Sequence, residues 1–236
     1  MNIKNLCRAA ALAIFLNGTA SAGEWGDLGK SIAPLAAPID DNCLSYNFIN
    51  LAYINTGFGN PYLSNGNGFG VGASMLLTNN IFLSANYAYG SFDDAWCGCF
   101  DVGDIHRYRF GPGLRVPIAR CVDFTFDGGA EYNSMRWDRK TERNFDSWGY
   151  FFGPGIRARA GRLEGFTALH YYGREGDFSQ NYIDPRFRSG DYRAGYNGWR
   201  FVTGLVYHLN DRFGLLFGCE VERLDNFFLA GTRYHF

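Results

Sequence analysis

The sequence lacks a long apolar run and carries almost no net charge. Its longest fully apolar stretch, residues 9–16, is far shorter than the ~20 residues that a helix needs to cross a bilayer. A helical membrane protein is therefore excluded. The formal net charge of -1 over 236 residues gives no basic surface for nucleic acid. Disorder is also excluded, because disordered chains are poor in aromatic residues, which make up 18% of this chain.

The N-terminal residues have the layout of a secretory signal peptide. Lys4 and Arg8 form a positive region, residues 9–16 an apolar core, and residues 20–22 (Ala-Ser-Ala) a small-x-small cleavage site. We therefore predict a cleaved signal peptide over residues 1–22. A secretory signal peptide implies export of the chain to an oxidising compartment.

Cysteine is scarce, and its number is odd. Cleavage of the signal peptide removes Cys7 and leaves five others, Cys43, Cys97, Cys99, Cys121 and Cys219. An odd number cannot pair completely within one chain. Cys97 and Cys99 are separated by one glycine, and we predict that they form a small loop disulfide or pair with another chain. A single C-x-C motif lacks the second ligand pair of a zinc site, so we predict neither a metal site nor a cofactor.

From residue 46 onward, short stretches rich in Tyr, Phe, Val and Leu alternate between apolar and polar residues. Period-two alternation is typical of β-strands, and no 3.6-residue apolar period persists for the length of a helix. We predict ten strands, over residues 46–56, 67–77, 81–92, 105–118, 122–137, 147–160, 163–175, 198–209, 213–223 and 226–236.

The connections between these strands alternate between short and long. Short turns are predicted at 78–80, 119–121, 161–162 and 210–212. Long connections rich in Gly, Asp and Asn are predicted at 57–66, 93–104, 138–146 and 176–197. Short turns at one end and long loops at the other are typical of outer-membrane barrels. Residues 23–42 are irregular and rich in Ala and Pro, and we predict that they hang in the periplasm or form a small plug in the lumen.

The alternation assigns an apolar face and a polar face to each strand. In residues 122–132, for example, Phe124 and Phe126 fall on one face and Asp123 on the other. Aromatic residues such as Trp148 are concentrated on the apolar face near strand ends, which is typical of the aromatic girdles at the two bilayer interfaces. A soluble sandwich would also alternate, but it does not account for the girdles.

The last strand carries the most specific signal. Phe228, Tyr234 and Phe236 share one face, and a terminal Phe with an aromatic residue two positions before it resembles the C-terminal assembly signal of bacterial outer-membrane proteins. The stretch 68–87, which begins Gly-Phe-Gly-Val-Gly, is similar to a recurring hairpin of small Gram-negative outer-membrane β-barrel proteins. That group includes the OmpA-type barrel, OmpX and opacity proteins.

The resemblance covers residues 43–236 and implies an all-β fold, a transmembrane antiparallel up-and-down β-barrel. The strand pattern predicts ten strands, whereas those relatives have eight. The resemblance further implies a place in the cell outer membrane. The implied partners are outer-membrane lipid, lipopolysaccharide and the barrel-assembly machinery, which reads the last strand.

The positive charge comes almost entirely from arginine, with 19 arginines against 3 lysines. Arginine suits bidentate pairing with carboxylates in a confined space better than lysine does. Strand parity predicts an inward network of Arg107, Arg109, Arg115, Asp123, Asp127, Glu131, Arg157, Arg159, Glu164, Arg174, Arg200, Glu220, Glu222 and Arg233. A lumen plugged by these ion pairs is favoured, because a barrel of about ten strands leaves little free bore. The alternative is a narrow water-filled pore with a slight preference for anions.

Two histidines are candidates for catalysis, since some outer-membrane barrels are hydrolases. His106 lies near Asp101 and Asp104 in the sequence, and His170 lies within a predicted strand. A histidine beside a carboxylate can act as a general base. No serine is clearly placed beside either histidine, so we predict no catalytic residues and no enzyme activity.

The sequence therefore predicts a structural or weakly porin-like role, in which the barrel excludes or passes small solutes. The alternative is adhesion to a surface ligand through residues 176–197, where Tyr and Arg are abundant, as they are in binding hot spots. A hydrolase is the least favoured class.

Overall fold

The computed structural model describes residues 43–58, 66–94, 101–137, 141–182, 190–222 and 225–236. The predicted signal peptide, the segment 23–42 and the predicted Cys97–Cys99 disulfide lie outside these residues. No helix in the described part of the chain is long and apolar enough to span a membrane.

The described residues form ten β-strands. In chain order they are β1 (Phe48–Phe58), β2 (Gly66–Leu76), β3 (Ile81–Asp94), β4 (Asp101–Ala119), β5 (Val122–Trp137), β6 (Thr141–Ala160), β7 (Leu163–Tyr182), β8 (Gly190–His208), β9 (Phe213–Val221) and β10 (Asp225–His235). The β2–β3, β4–β5, β6–β7 and β8–β9 connections are short turns and lie at one end of the barrel, called here the turn end. The opposite end is called the loop end.

Each strand pairs antiparallel with its sequence neighbours, and β1 closes the barrel against β10. The closing pair runs in continuous register from Phe48 opposite His235 to Phe58 opposite Asp225. The prediction of an all-β, antiparallel up-and-down barrel is confirmed, with ten strands rather than eight. Closure matters because a barrel surrounded by lipid has no water to satisfy an unpaired strand edge.

The strands extend further toward the loop end than the sequence predicts. β4 begins at Asp101, β6 at Thr141 and β8 at Gly190, and β7 continues to Tyr182. Three predicted connections are therefore partly wrong, because strand pairing continues into them: 93–104, 138–146 and 176–197. About 9–11 residues suffice for a strand to cross a bilayer, and β6 and β7 each have 20, so these hairpins project beyond the apolar band.

The outward face of the barrel is apolar and rich in aromatic residues. Trp148, Phe110 and Phe217 are 66%, 56% and 54% exposed, which in a soluble protein would form an unusually large uncovered apolar surface. The exposed band extends around the barrel and alternates with inward polar residues along each strand. This arrangement is that of a barrel whose solvent on the outside is lipid.

A row of aromatic rings marks the loop-side border of this band. Ring centroids are 4.9 Å apart for Tyr87 and Tyr108, 5.9 Å for Tyr108 and Tyr132, and 4.6 Å for Tyr132 and Trp148, so the row crosses β3 to β6. The Tyr132 hydroxyl donates a hydrogen bond of 2.8 Å to Asp146, which lies toward the loop end. Apolar rings with a polar tip on one side are suited to the boundary between lipid and water.

An arginine scan along β4 tests the apolar band. Leu114 lies midway between the aromatic row and the turn end, and Ile118 lies at the turn end; both are exposed. We expect Leu114→Arg to lower the free energy of unfolding from lipid by about 2–4 kcal/mol and Ile118→Arg by about 0–1 kcal/mol, because a charge costs most at the bilayer midplane. Guanidinium titrations of the protein in phospholipid vesicles measure both values. Equal losses at the two positions would contradict a band that faces lipid.

Candidate functional site

Charged side chains from β4 to β10 fill the lumen. On β4, for example, Arg107 and Arg109 point inward on either side of Tyr108, which points outward. Seven charged residues form one contiguous group, called here the central layer: Arg107, Arg109, Glu131, Arg174, Arg200, Glu220 and Glu222. The alternation therefore produces the layer directly, because every second residue of a barrel strand faces the interior.

Arg200 lies in the middle of the central layer and contacts all three of its carboxylates. Its Nη2 lies 2.6 Å from Oε2 of Glu131, and its Nε lies 2.5 Å from Oε1 of Glu222 and 3.3 Å from Oε1 of Glu220. One guanidinium group from β8 thus holds together three carboxylates: Glu131 of β5, Glu220 of β9, and Glu222, which lies just after β9.

The arginines of β4 reach the same carboxylates from the other side of the lumen. Arg107 Nη1 lies 2.7 Å from Oε1 of Glu220, and Arg109 donates to Oε2 of Glu220 at 2.7 Å and to Oε2 of Glu131 at 3.0 Å. Asn133 joins the layer, since its Oδ1 accepts from Arg107 at 2.9 Å and its Nδ2 donates to Glu131 at 3.0 Å. The layer therefore spans the full width of the barrel from β4 to β9.

Arg174 completes the central layer from β7. It forms ion pairs with Glu131 and with Glu222, the latter at 2.9 Å. Its guanidinium carbon lies 4.6 Å from the centre of the Tyr172 ring, and that of Arg200 lies 5.0 Å from the same ring. Cation–π contacts of this kind add stabilisation where water is excluded.

The central layer is almost completely buried. The side chains of Arg200 and Glu131 are fully buried, and those of the other five members are at most 13% exposed. The layer contains four arginines and three glutamates, so nearly every charge has an opposite partner. Such pairing is required, because an isolated charge taken out of water costs several kcal/mol.

A second charged group, called here the turn-side cluster, lies nearer the turn end. Glu164 of β7 accepts hydrogen bonds at Oε1 from Arg157 at 2.8 Å and from Arg233 at 2.6 Å. Its other oxygen, Oε2, lies 3.1 Å from Nε2 of His208. Arg233 also donates to Asn50 at 2.9 Å, which connects the cluster to β1.

The residues before β1 cover the turn end of the lumen. Residues 43–47 fold inward, and a disulfide joins Cys43 to Cys121 in the β4–β5 turn. The sequence predicts a first strand over 46–56, but β1 begins at Phe48 because the preceding residues form this cover. We call residues 43–47 the cap.

Tyr46 is the centre of the cap and is 4% exposed. Its hydroxyl donates a 3.0 Å hydrogen bond to Asp123 Oδ2, and its ring centroid is 4.9 Å from that of Phe82. The guanidinium carbons of Arg115 and Arg157 lie 5.1 and 4.6 Å from the ring centre. Tyr46 thus ties three charged lumen residues to the chain segment that precedes the barrel.

A cavity of about 310 Å³ lies between the central layer and the cap. Small residues line one of its walls, among them Gly70 and Gly72 of β2 and Ser84 and Ala88 of β3. None of the described inward side chains of β1 to β3 is charged, so the charged groups fill the lumen only from the opposite side. The cavity follows from this unequal filling.

The remaining predicted network residues lie outside these groups. Asp127 lies 3.1 Å from Nε2 of His170, halfway along the lumen wall. Arg159 is separate from the other predicted network residues, since it donates to the backbone carbonyl oxygens of Gly161 and Cys43 at the turn end. Glu164 lies opposite Arg159 in the β6–β7 pair, but its carboxylate is bonded to Arg157 and Arg233 instead.

The two histidines considered for catalysis lie on opposite faces of the wall. His106 points outward on β4, and its Nδ1 lies 3.0 Å from the Tyr87 hydroxyl. The side chain of Asp101, its suggested partner, lies outside the described set, and Asp104 accepts a hydrogen bond from Tyr89. His170 points inward, toward Asp127.

The residues of the predicted assembly signal lie on the outward face of β10. Phe236 is 60% exposed, and the Tyr234 ring centroid is 5.0 Å from that of Phe213 on β9. Phe228 lies opposite Asn55 of β1 in the closing pair.

Three features of the lumen were not predicted from the sequence: the role of Tyr46, the partner of Cys43, and the grouping of Glu164 with the histidines of the turn end. These residues are far apart in the sequence. The alternation within a strand does not indicate which residues of distant strands lie at the same level along the barrel axis. The sequence feature that points to the cap is Cys43, which lies just before the first strand.

Comparisons with known proteins agree with the geometry. No protein-family model and no curated protein matches the sequence. Among solved structures, the outer membrane protease OmpT from Escherichia coli is 11% identical over 80% of this chain and 94% of the protease, with a TM-score of 0.52. The attachment invasion locus protein Ail of Yersinia pestis is 12% identical over 80% of this chain and 95% of its own, with a TM-score of 0.39. The likeness to OmpT shows the fold: the chain has the architecture of outer-membrane β-barrel proteins.

Neutralising one charge of the central layer tests its contribution to stability. We expect Glu131→Gln to lower the free energy of unfolding by about 3–5 kcal/mol, because it leaves buried arginines without their carboxylate. Asp146→Asn is the matched control, since Asp146 pairs with Arg136 at the surface with 38% and 45% of the side chains exposed. The control is expected to lose less than about 1 kcal/mol. Equilibrium denaturant unfolding measures both, and similar losses would contradict a closed, desolvated layer.

Proposed function

We propose that this chain is a structural barrel of the outer membrane whose lumen is closed to solutes. The observation that carries the proposal is the central layer, in which the fully buried Arg200 and Glu131 meet across the lumen. A water-filled pore would leave its lining charges hydrated. Here the guanidinium groups and carboxylates take each other as partners instead.

The cap supports the same proposal from the other end. Tyr46 is held by Asp123 and lies against two arginines, and the Cys43–Cys121 disulfide prevents the cap from drifting away from the mouth. A solute entering from the turn end would have to displace this segment before it reached the cavity. Two independent barriers therefore stand in series along the lumen.

The proposed place in the outer membrane rests on the fold and on the outward face. The exposed apolar band with its aromatic border fits outer-membrane lipid, and the hairpins beyond it lie at the level of lipopolysaccharide headgroups. Export by a signal peptide and recognition of Phe236 and Tyr234 by the barrel-assembly machinery belong to the same proposal. Both aromatic residues lie on the closing strand, where an assembly factor has access before β10 pairs with β1.

The proposal assigns no catalytic step to the barrel. On the outer wall, Nδ1 of His106 is hydrogen-bonded to the hydroxyl of Tyr87. His170 and Asp127 lie in the lumen, which the proposal closes to large substrates. Hydrolysis needs a nucleophile placed beside the base. The described residues place no serine hydroxyl in hydrogen bond with either histidine.

Planar-bilayer recording of the refolded protein tests the closed lumen. We expect no stable single-channel steps from the wild type, because the central layer and the cap both obstruct the lumen. The double variant Arg200→Ala with Glu222→Ala removes one charge of each sign from the layer, and the variant Tyr46→Ala weakens the cap. Channel activity is expected only when the layer variant and the cap variant are combined.

The control for this recording is the surface pair variant Arg136→Ala with Asp146→Ala, which leaves the lumen intact and is expected to stay silent. Heat-modifiable migration in a denaturing gel shows that each variant has folded as a barrel. Reproducible steps with anion preference from the wild type would overturn the closed-lumen proposal. The inward arginines would then be the selectivity determinants of a small pore.

A second candidate function is interaction with a surface ligand through the projecting hairpins. It is favoured by the length of β6 and β7, whose paired backbones continue well beyond the aromatic row to Thr141 opposite Tyr182. Rigid paired strands hold a loop tip away from the membrane surface, which suits contact with another surface.

Deleting residues 180–195 tests the second candidate. If the β7–β8 hairpin tip is a binding surface, the deletion should abolish attachment of cells displaying the protein to glycan or host-cell surfaces while leaving barrel folding intact. A deletion of the β9–β10 connection at 223–224 serves as the control. Unchanged attachment after the first deletion would exclude the hairpin tip as the adhesive surface.

A further inference from the structure

Glu164 and His208 of the turn-side cluster, together with the neighbouring His235, have the chemistry of metal ligands. One oxygen of Glu164 and one ring nitrogen each of His208 and His235 all lie within 4.8 Å of one another. All three residues are buried. Two imidazoles and one carboxylate form a common ligand set for transition metals, in which water supplies the remaining positions.

The histidines have unused ligand atoms. His235 is 6% exposed, and among the described residues neither of its ring nitrogens has a hydrogen-bond partner. Nδ1 of His208, which is 3% exposed, also has none there. Buried polar groups are normally paired, so three unpartnered imidazole nitrogens at one place need an explanation. A bound metal ion provides one, because an imidazole nitrogen without a proton is a ligand.

The barrel brings these side chains together across a glycine. His208 lies opposite Gly214 of β9, and Gly214 in turn lies opposite Arg233 of β10. A Cβ at position 214 would lie 2.6 Å from Val206. The glycine therefore accommodates the Val206 side chain, and the ring centroids of His208 and His235 lie 5.2 Å apart over this part of the wall.

The charges around the cluster limit the kind of ion. Arg157 and Arg233 both bond to Oε1 of Glu164, while Oε2 faces His208. The arginines fix the carboxylate and leave one oxygen for an ion. They also disfavour a hard cation such as Ca²⁺, which needs several carboxylate oxygens. Ions that bind imidazole nitrogen strongly, in particular Zn²⁺ and Cu²⁺, suit this donor set.

We propose that Glu164, His208 and His235 bind a single transition-metal ion of the Zn²⁺ or Cu²⁺ type inside the turn end of the barrel. The ion links β7, β8 and β10, three strands that are not all neighbours. The site differs from the C-x-C motif at Cys97 and Cys99, which lacks the second ligand pair of a zinc site. It also goes beyond the structural role proposed above, which needs no ligand.

Zinc titration of the untagged, refolded chain in detergent tests the site. Competition with a chromophoric chelator gives the stoichiometry and affinity, and we expect one tightly bound Zn²⁺ per chain. We expect His208→Ala and His235→Ala each to weaken binding at least about tenfold, because loss of a ligand costs no less than loss of an outer-shell partner. Controls His106→Ala and His170→Ala should bind as the wild type does, and Cys219→Ser excludes the buried thiol as the ligand.

Electron paramagnetic resonance of the Cu²⁺ form provides a second readout. Hyperfine coupling from two imidazole nitrogens is expected in the wild type and from one in each histidine variant. Where an alanine variant does not fold, as judged by heat-modifiable migration, the corresponding glutamine variant replaces it. Absence of stoichiometric binding, or binding that is unchanged in both the His208 and His235 variants, would overturn the proposal.

Discussion

The structure depends on one electrostatic constraint: a charge that is buried in the narrow lumen must find its counter-charge on another strand. Glu131 illustrates this, since its two oxygens contact guanidinium groups from β4, β7 and β8. Ladder hydrogen bonds join only adjacent strands, whereas the ion pairs from β7 and β8 to Glu131 of β5 join strands that are not neighbours. The ion pairs therefore hold the strands in register with one another from inside the barrel, as packed apolar side chains do in a soluble barrel.

Much of the fold was predictable because its signals are local. Period-two alternation predicted the strands and their faces, and with them the inward positions of Arg109 and Glu131. The resemblance to small outer-membrane barrels predicted the closed antiparallel topology. The partners across the lumen were not predictable. Whether Arg107 reaches Glu220 depends on the shear and tilt of the barrel, which set the relative heights of strands five apart and have no local sequence signal.

The errors of the sequence analysis also have physical causes. The sequence of the hairpin ends of β6 and β7 lacks a regular alternation of apolar and polar residues, so these ends were predicted as loops, although the backbone pairing continues there. Tyr46 was predicted to begin a strand, because an aromatic residue before an apolar stretch is typical of a strand. Its contacts with Asp123 and Arg157 come from residues far along the chain and draw it inward instead.

The cystine that anchors the cap also has a topological meaning. Cys43 and Cys121 are 78 positions apart, and the strands β1 to β4 lie between them. A polypeptide oxidised in the periplasm before insertion would therefore present its first four strands as a covalent ring rather than as a free end. Strand-by-strand threading from the N-terminus is then impossible for this part of the chain. Insertion would then have to accommodate the ring of β1 to β4 as one unit, whatever the order in which the other strands are added.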